Sequence, residues 1–270
     1  MLVAQITDTH IVEAGDRLHD RVDASGMLAA AVDHVNAMDP LPDLVVASGD
    51  LVNDGRPAQY EELARLLAPL QPPLLPIAGN HDDRAALRAA LPQAPVDPGG
   101  DPAAPMDAVI DDWPLRLVTL DTTVPGLHGG RIRPAQMQWL DRVLTEGADR
   151  PTLIVQHHPP FETGIAWMDG YGLADHGLEA EVVGRHPQVV GVVCGHLHRM
   201  ITAPFGGTVA STWPSTGPQV ALALDGTANG YCDEPPTVAL HQWSPEAGLV
   251  SHLSYVGGPT AWLPPWATTS

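Results

Sequence analysis

Seven polar residues, Asp8, His10, Asp50, Asn80, His157, His196 and His198, each follow a short apolar run. Asp8 and His10 follow Leu2-Val3-Ala4-Gln5-Ile6, Asp50 ends the run from Leu44 to Gly49, and Asn80 follows Leu74 to Ala78. His157 closes Thr152 to Gln156, and His196 and His198 follow Val189 to Cys194. Carboxylate oxygen, amide oxygen and imidazole nitrogen, with no thiolate, make a donor set that suits Mn, Fe, Zn or Co rather than a structural cysteine-zinc site. Two divalent transition-metal ions about 4 Å apart can share one carboxylate, and Asp50 is the candidate for that bridge. Asp8 and His10 stand two apart in an extended segment and so project the same way, as do His196 and His198. Each motif alone reads as an ordinary turn. Five in succession, each closing an apolar run, point to one site.

Such a site needs strands to deliver its ligands. From Met1 to about Arg199, strand-like runs alternate with amphipathic stretches, the pattern of an α/β layered domain. Asp23 is placed to cap a helix whose apolar positions, Met27, Leu28, Ala31, Val32, Val35 and Met38, recur with helical period. Pro57 and Pro134 suit the first position of two further helices. Met106 to Ile110 and Leu115 to Leu120 read as strands joined by the acidic turn Asp111-Asp112. In open α/β sheets functional groups gather beyond the carboxyl ends of strands, which is where all five motifs fall. Pro92 to Pro105 is a connection. The long Gly-rich stretch Phe161 to Gly177, with Trp167, Met168 and Tyr171, follows His157 and is placed to form a substrate wall or lid.

After Arg199 the texture becomes strand-like without helical periodicity, at Ile201 to Thr212, Gln219 to Leu224, Thr237 to Trp243 and Leu249 to Val256. The chain therefore divides into a catalytic core, residues 1–199, and a β-rich segment, residues 200–270, that completes the sheets and forms a cap or oligomer contact. Trp262 and Trp266 in a Pro-rich tail suggest docking onto a neighbouring subunit, hence a homo-oligomer.

Composition narrows the function classes. The chain has 270 residues and 44% hydrophobic content, enough for a sizeable core. It carries 13 basic and 32 acidic residues, a net charge of −19. All the basic residues are arginine, so chemistry that needs a phosphate-cradling or Schiff-base lysine is excluded. The acidic balance argues against duplex nucleic acid as a partner. No apolar run reaches the ~18 residues of a membrane span, and no basic n-region precedes the first strand, so a cytoplasmic enzyme is expected. Two cysteines, Cys194 and Cys232, do not make a disulfide framework.

The constellation resembles the calcineurin-like metallophosphoesterase superfamily from Leu2 to about His198. Within it the chain looks most like the class III cyclic-nucleotide and glycerophosphodiester branch. The finer cues are Gly79-Asn80-His81-Asp82-Asp83-Arg84, His157-His158-Pro159-Pro160, Met168-Asp169 and Pro214-Ser215-Thr216-Gly217-Pro218-Gln219. The resemblance implies a four-layer α-β-β-α sandwich. It places one metal on Asp8, His10, Asp50 and His198, and a second on Asp50, Asn80, His157 and His196. His81 would lie beside the phosphate and, with Asp50, serve catalysis. The implied reaction is attack of a metal-generated hydroxide on a small phosphodiester, a 3',5'-cyclic nucleotide or a glycerophosphodiester. A phosphomonoesterase on the same site and a non-catalytic metal-binding module are the alternatives. His158 competes with His157 as the ligand at that strand end. Asn53 is a candidate substrate contact, His19 and Asp20 are candidates for the rim, and His128, His186, His241 and His252 read as surface or structural.

Overall fold

Most strands here are apolar on both faces, which demands cover on both sides. The computed structural model describes residues 1–227 and 229–258. The first half of the chain runs β1 (Leu2–Ile6), α1 (Ala24–Asn36), β2 (Leu44–Ser48), α2 (Pro57–Leu67), β3 (Leu74–Ile77), α3 (Arg84–Ala90), β4 (Ala108–Ile110), β5 (Arg116–Leu120), β6 (Gly130–Arg131) and α4 (Pro134–Glu146). It continues with β7 (Thr152–Gln156), α5 (Ala166–Asp169), β8 (Leu173–Ala174), α6 (His176–Val183), β9 (Val189–Cys194), β10 (Ile201–Phe205), β11 (Thr208–Thr212), β12 (Gln219–Val220), β13 (Tyr231–Cys232), β14 (Thr237–Ser244) and β15 (Gly248–Tyr255).

Two sheets carry the architecture, in the orders β15-β14-β1-β2-β3 and β10-β11-β9-β7-β5-β4. Strands β1, β2 and β3 are mutually parallel, as are β5, β7, β9 and β11. Alternate residues sort into separate layers. Ala4, Ile6, Val45 and Ala47 pack under α1 and α2. Val3, Leu44, Val46, Leu117, Leu153, Val155 and Val193 fill the space between the sheets. Val118, Leu120, Ile154, Val192 and Cys194 pack under α4 and α6. The order of layers is helix, sheet, sheet, helix, as the resemblance implied.

Helix starts follow local chemistry. The Asp23 carboxylate accepts the Gly26 N–H at 2.9 Å, a cap that contributes about 1 kcal/mol, and Pro57 and Pro134 open α2 and α4. Strands after residue 199 join both sheets: β11 pairs with β9, and β14 pairs antiparallel with β1. Some boundaries differ from the sequence pattern. The strand expected from Met106 starts at Ala108, because the Met106 N–H donates to the Asp121 carboxylate at 2.9 Å instead of entering the ladder. The expected strand Gln219 to Leu224 shortens to two residues of a small hairpin with β13, and Leu222 and Leu224 face solvent. The stretch from Phe161 to Gly177 contains α5 and β8, and β8 pairs in parallel with β6. Trp262 and Trp266 lie outside the described residues.

Candidate metal centre

The parallel strands of both sheets deliver their carboxyl ends to one place, and the backbone there turns sharply. Asp8, His10, Asp50, His196 and His198 all adopt the left-handed conformation, with φ of 53°, 45°, 51°, 68° and 48°. Non-glycine residues adopt it at a cost that the surrounding structure must over-determine, and such strain clusters at functional sites. Here hydrogen bonds hold it: the Asp8 N–H donates to the Gly49 carbonyl, and the His10 N–H to the Asp50 carbonyl, both at 3.0 Å. Two glycines let the turns interlock. A Cβ at Gly79 would overlap the Asp50 amide and carboxylate, and one at Gly195 would overlap Thr7 and the Asp8 carboxylate.

All seven residues expected as ligands come together. His10 Nε2 and His198 Nε2 lie 3.2 Å apart, and His198 Nε2 lies 3.4 Å from Asp8 Oδ1. His157 Nε2 lies 3.1 Å from Asn80 Oδ1 and 3.3 Å from Asp50 Oδ2. Asp50 Oδ2 is also 3.8 Å from His10 Nε2 and 4.0 Å from His81 Nε2. Asp50 thus sits between the Asp8–His10–His198 group and the Asn80–His157 group. Its other oxygen accepts the His81 N–H at 2.8 Å. Asp8 accepts the His196 N–H on both oxygens, at 3.0 and 3.1 Å.

Outer partners orient the imidazoles. His157 Nδ1–H donates to the Ser48 carbonyl at 2.9 Å, and His198 Nδ1–H to the Pro218 carbonyl at 2.6 Å. Each ring therefore presents the Nε2 lone pair inward, the arrangement typical of metal-binding histidine. His196 Nε2–H donates to the Tyr171 carbonyl at 3.1 Å and leaves Nδ1 free. His158 is different: Nδ1 accepts from the Thr122 hydroxyl at 2.8 Å, and Nε2–H donates to the His128 carbonyl at 3.0 Å. Both its nitrogens are used, so it supports the strand end from behind.

The buried charges perturb one another: burial would lower the His157 imidazole but the facing Asp50 carboxylate lifts it to about 9, and burial raises the Asp8 carboxyl. Burial would raise the Asp50 carboxyl, but the facing His157, His81 and His10 imidazoles hold it well below the usual range. Burial pushes His10 and His196 well below the ordinary histidine value, which keeps them in the neutral form that ligates a metal. His10 Nε2 and His198 Nε2 face each other at 3.2 Å, and three imidazoles surround the buried Asp50 Oδ2. This convergence of buried nitrogen and oxygen donors fits a divalent transition metal.

Residues 1–200 match the family model described as calcineurin-like phosphoesterase. The chain belongs to the calcineurin-like phosphoesterase family. This phosphoesterase is 34% identical over 272 residues to the glycerophosphodiester phosphodiesterase GpdQ of Enterobacter lignolyticus, covering 97% of this chain and 94% of the relative. It is 30% identical over 214 residues to the 3',5'-cyclic adenosine monophosphate phosphodiesterase CpdA of Escherichia coli K12, covering 79% of this chain and 75% of the relative. Among solved structures it resembles a dimetal phosphatase from Danio rerio, with a TM-score of 0.63, 18% identity and coverage of 95% and 99%.

Over the centre the phosphoesterase opens a cavity of about 180 Å³, whose floor is His10, Asp50, Asn80, His81, His196 and His198. Its walls are His128, Trp167, Met168, Tyr171 and Tyr231. The stretch Phe161 to Gly177 thus supplies three wall residues. Asp169 folds it by accepting Thr163 N–H, Thr163 O–H and Gly164 N–H at 2.7–2.9 Å, and Ile165 and Met168 pack on Leu197, between two site histidines. His81 Nδ1–H donates to the Asn53 carbonyl at 2.6 Å, so Asn53 serves through its backbone. His19 stacks on Tyr231, ring centroids 5.8 Å apart, at the rim. Sequence reasoning missed Tyr231, and read His128 as surface or structural; it is exposed and forms part of the cavity wall. His128 lies on the loop after β5, a strand-end position like the others, but too far along the loop for the motif pattern to mark it. Tyr231 arrives on the short β12–β13 hairpin, whose pairing no local pattern announces. Among the described residues no helix is long and apolar enough to cross a membrane.

Proposed function

We propose that this metal-dependent phosphodiesterase uses two divalent cations, Mn, Fe, Zn or Co, to hydrolyse a small phosphodiester, either a 3',5'-cyclic nucleotide or a glycerophosphodiester. Asp8, His10, Asp50 and His198 would hold one cation, and Asp50, Asn80, His157 and His196 the other. The observation that carries the pairing is Asp50 Oδ2, 3.8 Å from His10 Nε2 in one group and 3.3 Å from His157 Nε2 in the other. When bound, the cations supply Lewis acidity and an acidified water nucleophile.

The chain's own residues do the rest. Asp8 and Asp50 balance the cationic charge in a buried site. His81, pinned through Nδ1 to the Asn53 carbonyl, faces the cavity through Nε2, where it can stabilise charge on a phosphoryl oxygen or protonate the departing alkoxide. Trp167, Met168 and Tyr171 exclude water from one side and give the leaving group an apolar contact. Both GpdQ and CpdA, by name, act on diesters, and that supports the substrate class.

The test is a panel: metal-reconstituted protein with cyclic AMP, glycerophosphodiesters and aryl monoesters side by side. Diester rates well above monoester rates are expected, and the reverse would make the protein a phosphomonoesterase. We also place it in the cytoplasm as a homo-oligomer. Supporting the second point, β15 is the edge strand of the first sheet among the described residues and exposes Val250 and Tyr255. A monomer by light scattering at micromolar concentration would refute it.

A further inference from the structure

The family match ends at residue 200, yet those residues do not close the metal centre. Residues 214–219, after β11, run beneath it, and Ser215, Thr216 and Gln219 are at most 1% exposed. The contacts of this loop go to the site's backbone and rings. The Pro218 carbonyl accepts His198 Nδ1–H at 2.6 Å, and Ser215 Oγ donates to the Asp8 carbonyl at 2.7 Å. The Thr216 N–H donates to the Thr7 carbonyl at 3.1 Å. None of residues 214–219 lines the cavity over the centre.

One side chain ties the loop to itself. Gln219 Oε1 accepts the Ser215 N–H at 3.1 Å, while Gln219 Nε2 donates to the Ser215 carbonyl at 2.7 Å and the Gly217 carbonyl at 3.2 Å. The amide thereby satisfies one buried donor and two buried acceptors, a set that only a group with both functions can meet. A carboxylate there would face two carbonyls with no hydrogen to offer, and an aliphatic group would leave the Ser215 N–H and the Gly217 carbonyl unpaired and the Ser215 carbonyl with only the Thr237 N–H at 3.3 Å.

We propose that Gln219 is a positioning residue for the metal centre: it holds Ser215 to Pro218 so that the Pro218 carbonyl keeps His198 in the tautomer that presents Nε2 to the cation. The proposal rests on the reading above that His198 is a ligand. Outer partners of ligating histidines commonly set metal affinity by 10–100-fold when removed.

The test is calorimetric titration of Mn²⁺ or Zn²⁺ into the metal-stripped full chain, comparing wild type with Gln219→Glu, Gln219→Leu and His198→Ala. Imidazole ¹⁵N spectra would report the His198 tautomer and circular dichroism the fold. Folded Gln219 variants are expected to lose about 10–100-fold in affinity at one of the cation sites, with an altered His198 ¹⁵N signature. Wild-type affinity and tautomer in a folded Gln219 variant would overturn the proposal while leaving the site reading intact, provided His198→Ala is impaired. Wild-type affinity in His198→Ala would instead remove the ligand assignment itself. Should neither Gln219 variant fold, Gln219→Asn takes their place, since it keeps the amide but draws it back from the Ser215 and Gly217 backbone groups; the same loss is expected, and unchanged affinity there would equally overturn the proposal.

Discussion

Two buried polar clusters occupy the same strands and are built on opposite terms. Between the sheets, Gln5 donates to Ser48 Oγ at 2.7 Å and, across the sandwich, to the Cys194 carbonyl at 3.1 Å. His241 Nε2–H donates to Gln5 Oε1 at 2.9 Å, and its Nδ1 accepts from Ser251 Oγ at 2.8 Å. Every polar side-chain atom of Gln5 and His241 has a protein partner. A few residues along β1, the strand-end cluster brings imidazole nitrogens to 3.2 Å from one another and gathers three around one carboxylate oxygen. Buried groups that pair off with each other make architecture, whereas buried imidazoles and carboxylates that converge on one point are arranged as the ligands of a cation.

If that contrast is right, damage at the strand ends should cost activity and damage between the sheets should cost stability. The largest effect is expected from Asp50→Asn, which removes charge from the shared ligand: kcat on an aryl phosphodiester should fall by about 10³-fold or more, roughly 4 kcal/mol. Activity at the wild-type level would end the assignment of Asp50. Chelation comes next. At a cation concentration of about 100 times Kd, binding contributes about 2.7 kcal/mol to stability, so stripping the metal should lower the melting temperature by several degrees, reversibly. His81→Ala should lower kcat by about 10²-fold, the usual worth of a positioned acid or base, while calorimetry finds metal affinity intact.

The smallest effect tests the other cluster. Burial pushes His241 down to about 3. The unfolded chain therefore takes up the proton first, and this contribution to stability is lost as pH falls from about 6.5 toward 3. Between pH 7 and 5, wild type should lose about 2 kcal/mol more than His241→Gln in urea unfolding. Parallel curves would show that His241 is not held neutral.

Much of the site was legible in the chain because ligands follow strands, and strands announce themselves by apolar runs. Asp8, Asp50 and His157 needed no more than that. The family resemblance and the strand direction favoured His157 over His158, and the partners that occupy both nitrogens of His158, the Thr122 hydroxyl and the His128 carbonyl, appear only in the tertiary structure. The place of His128 at the cavity, beyond its reading as surface or structural, and that of Tyr231 could not be read for a related reason: they depend on where a loop and a two-residue hairpin come to rest.

The sequence by itself determined the donor types, their order along the chain and the layered scaffold that carries them, because those follow from side-chain chemistry and period-two burial. Tertiary structure alone decided the left-handed turns that aim five of the ligands, the tautomers of the imidazoles and the walls of the cavity. These depend on contacts such as His198 with Asp8 or Gln5 with His241, between residues far apart in sequence, and no local pattern encodes where two distant segments will meet.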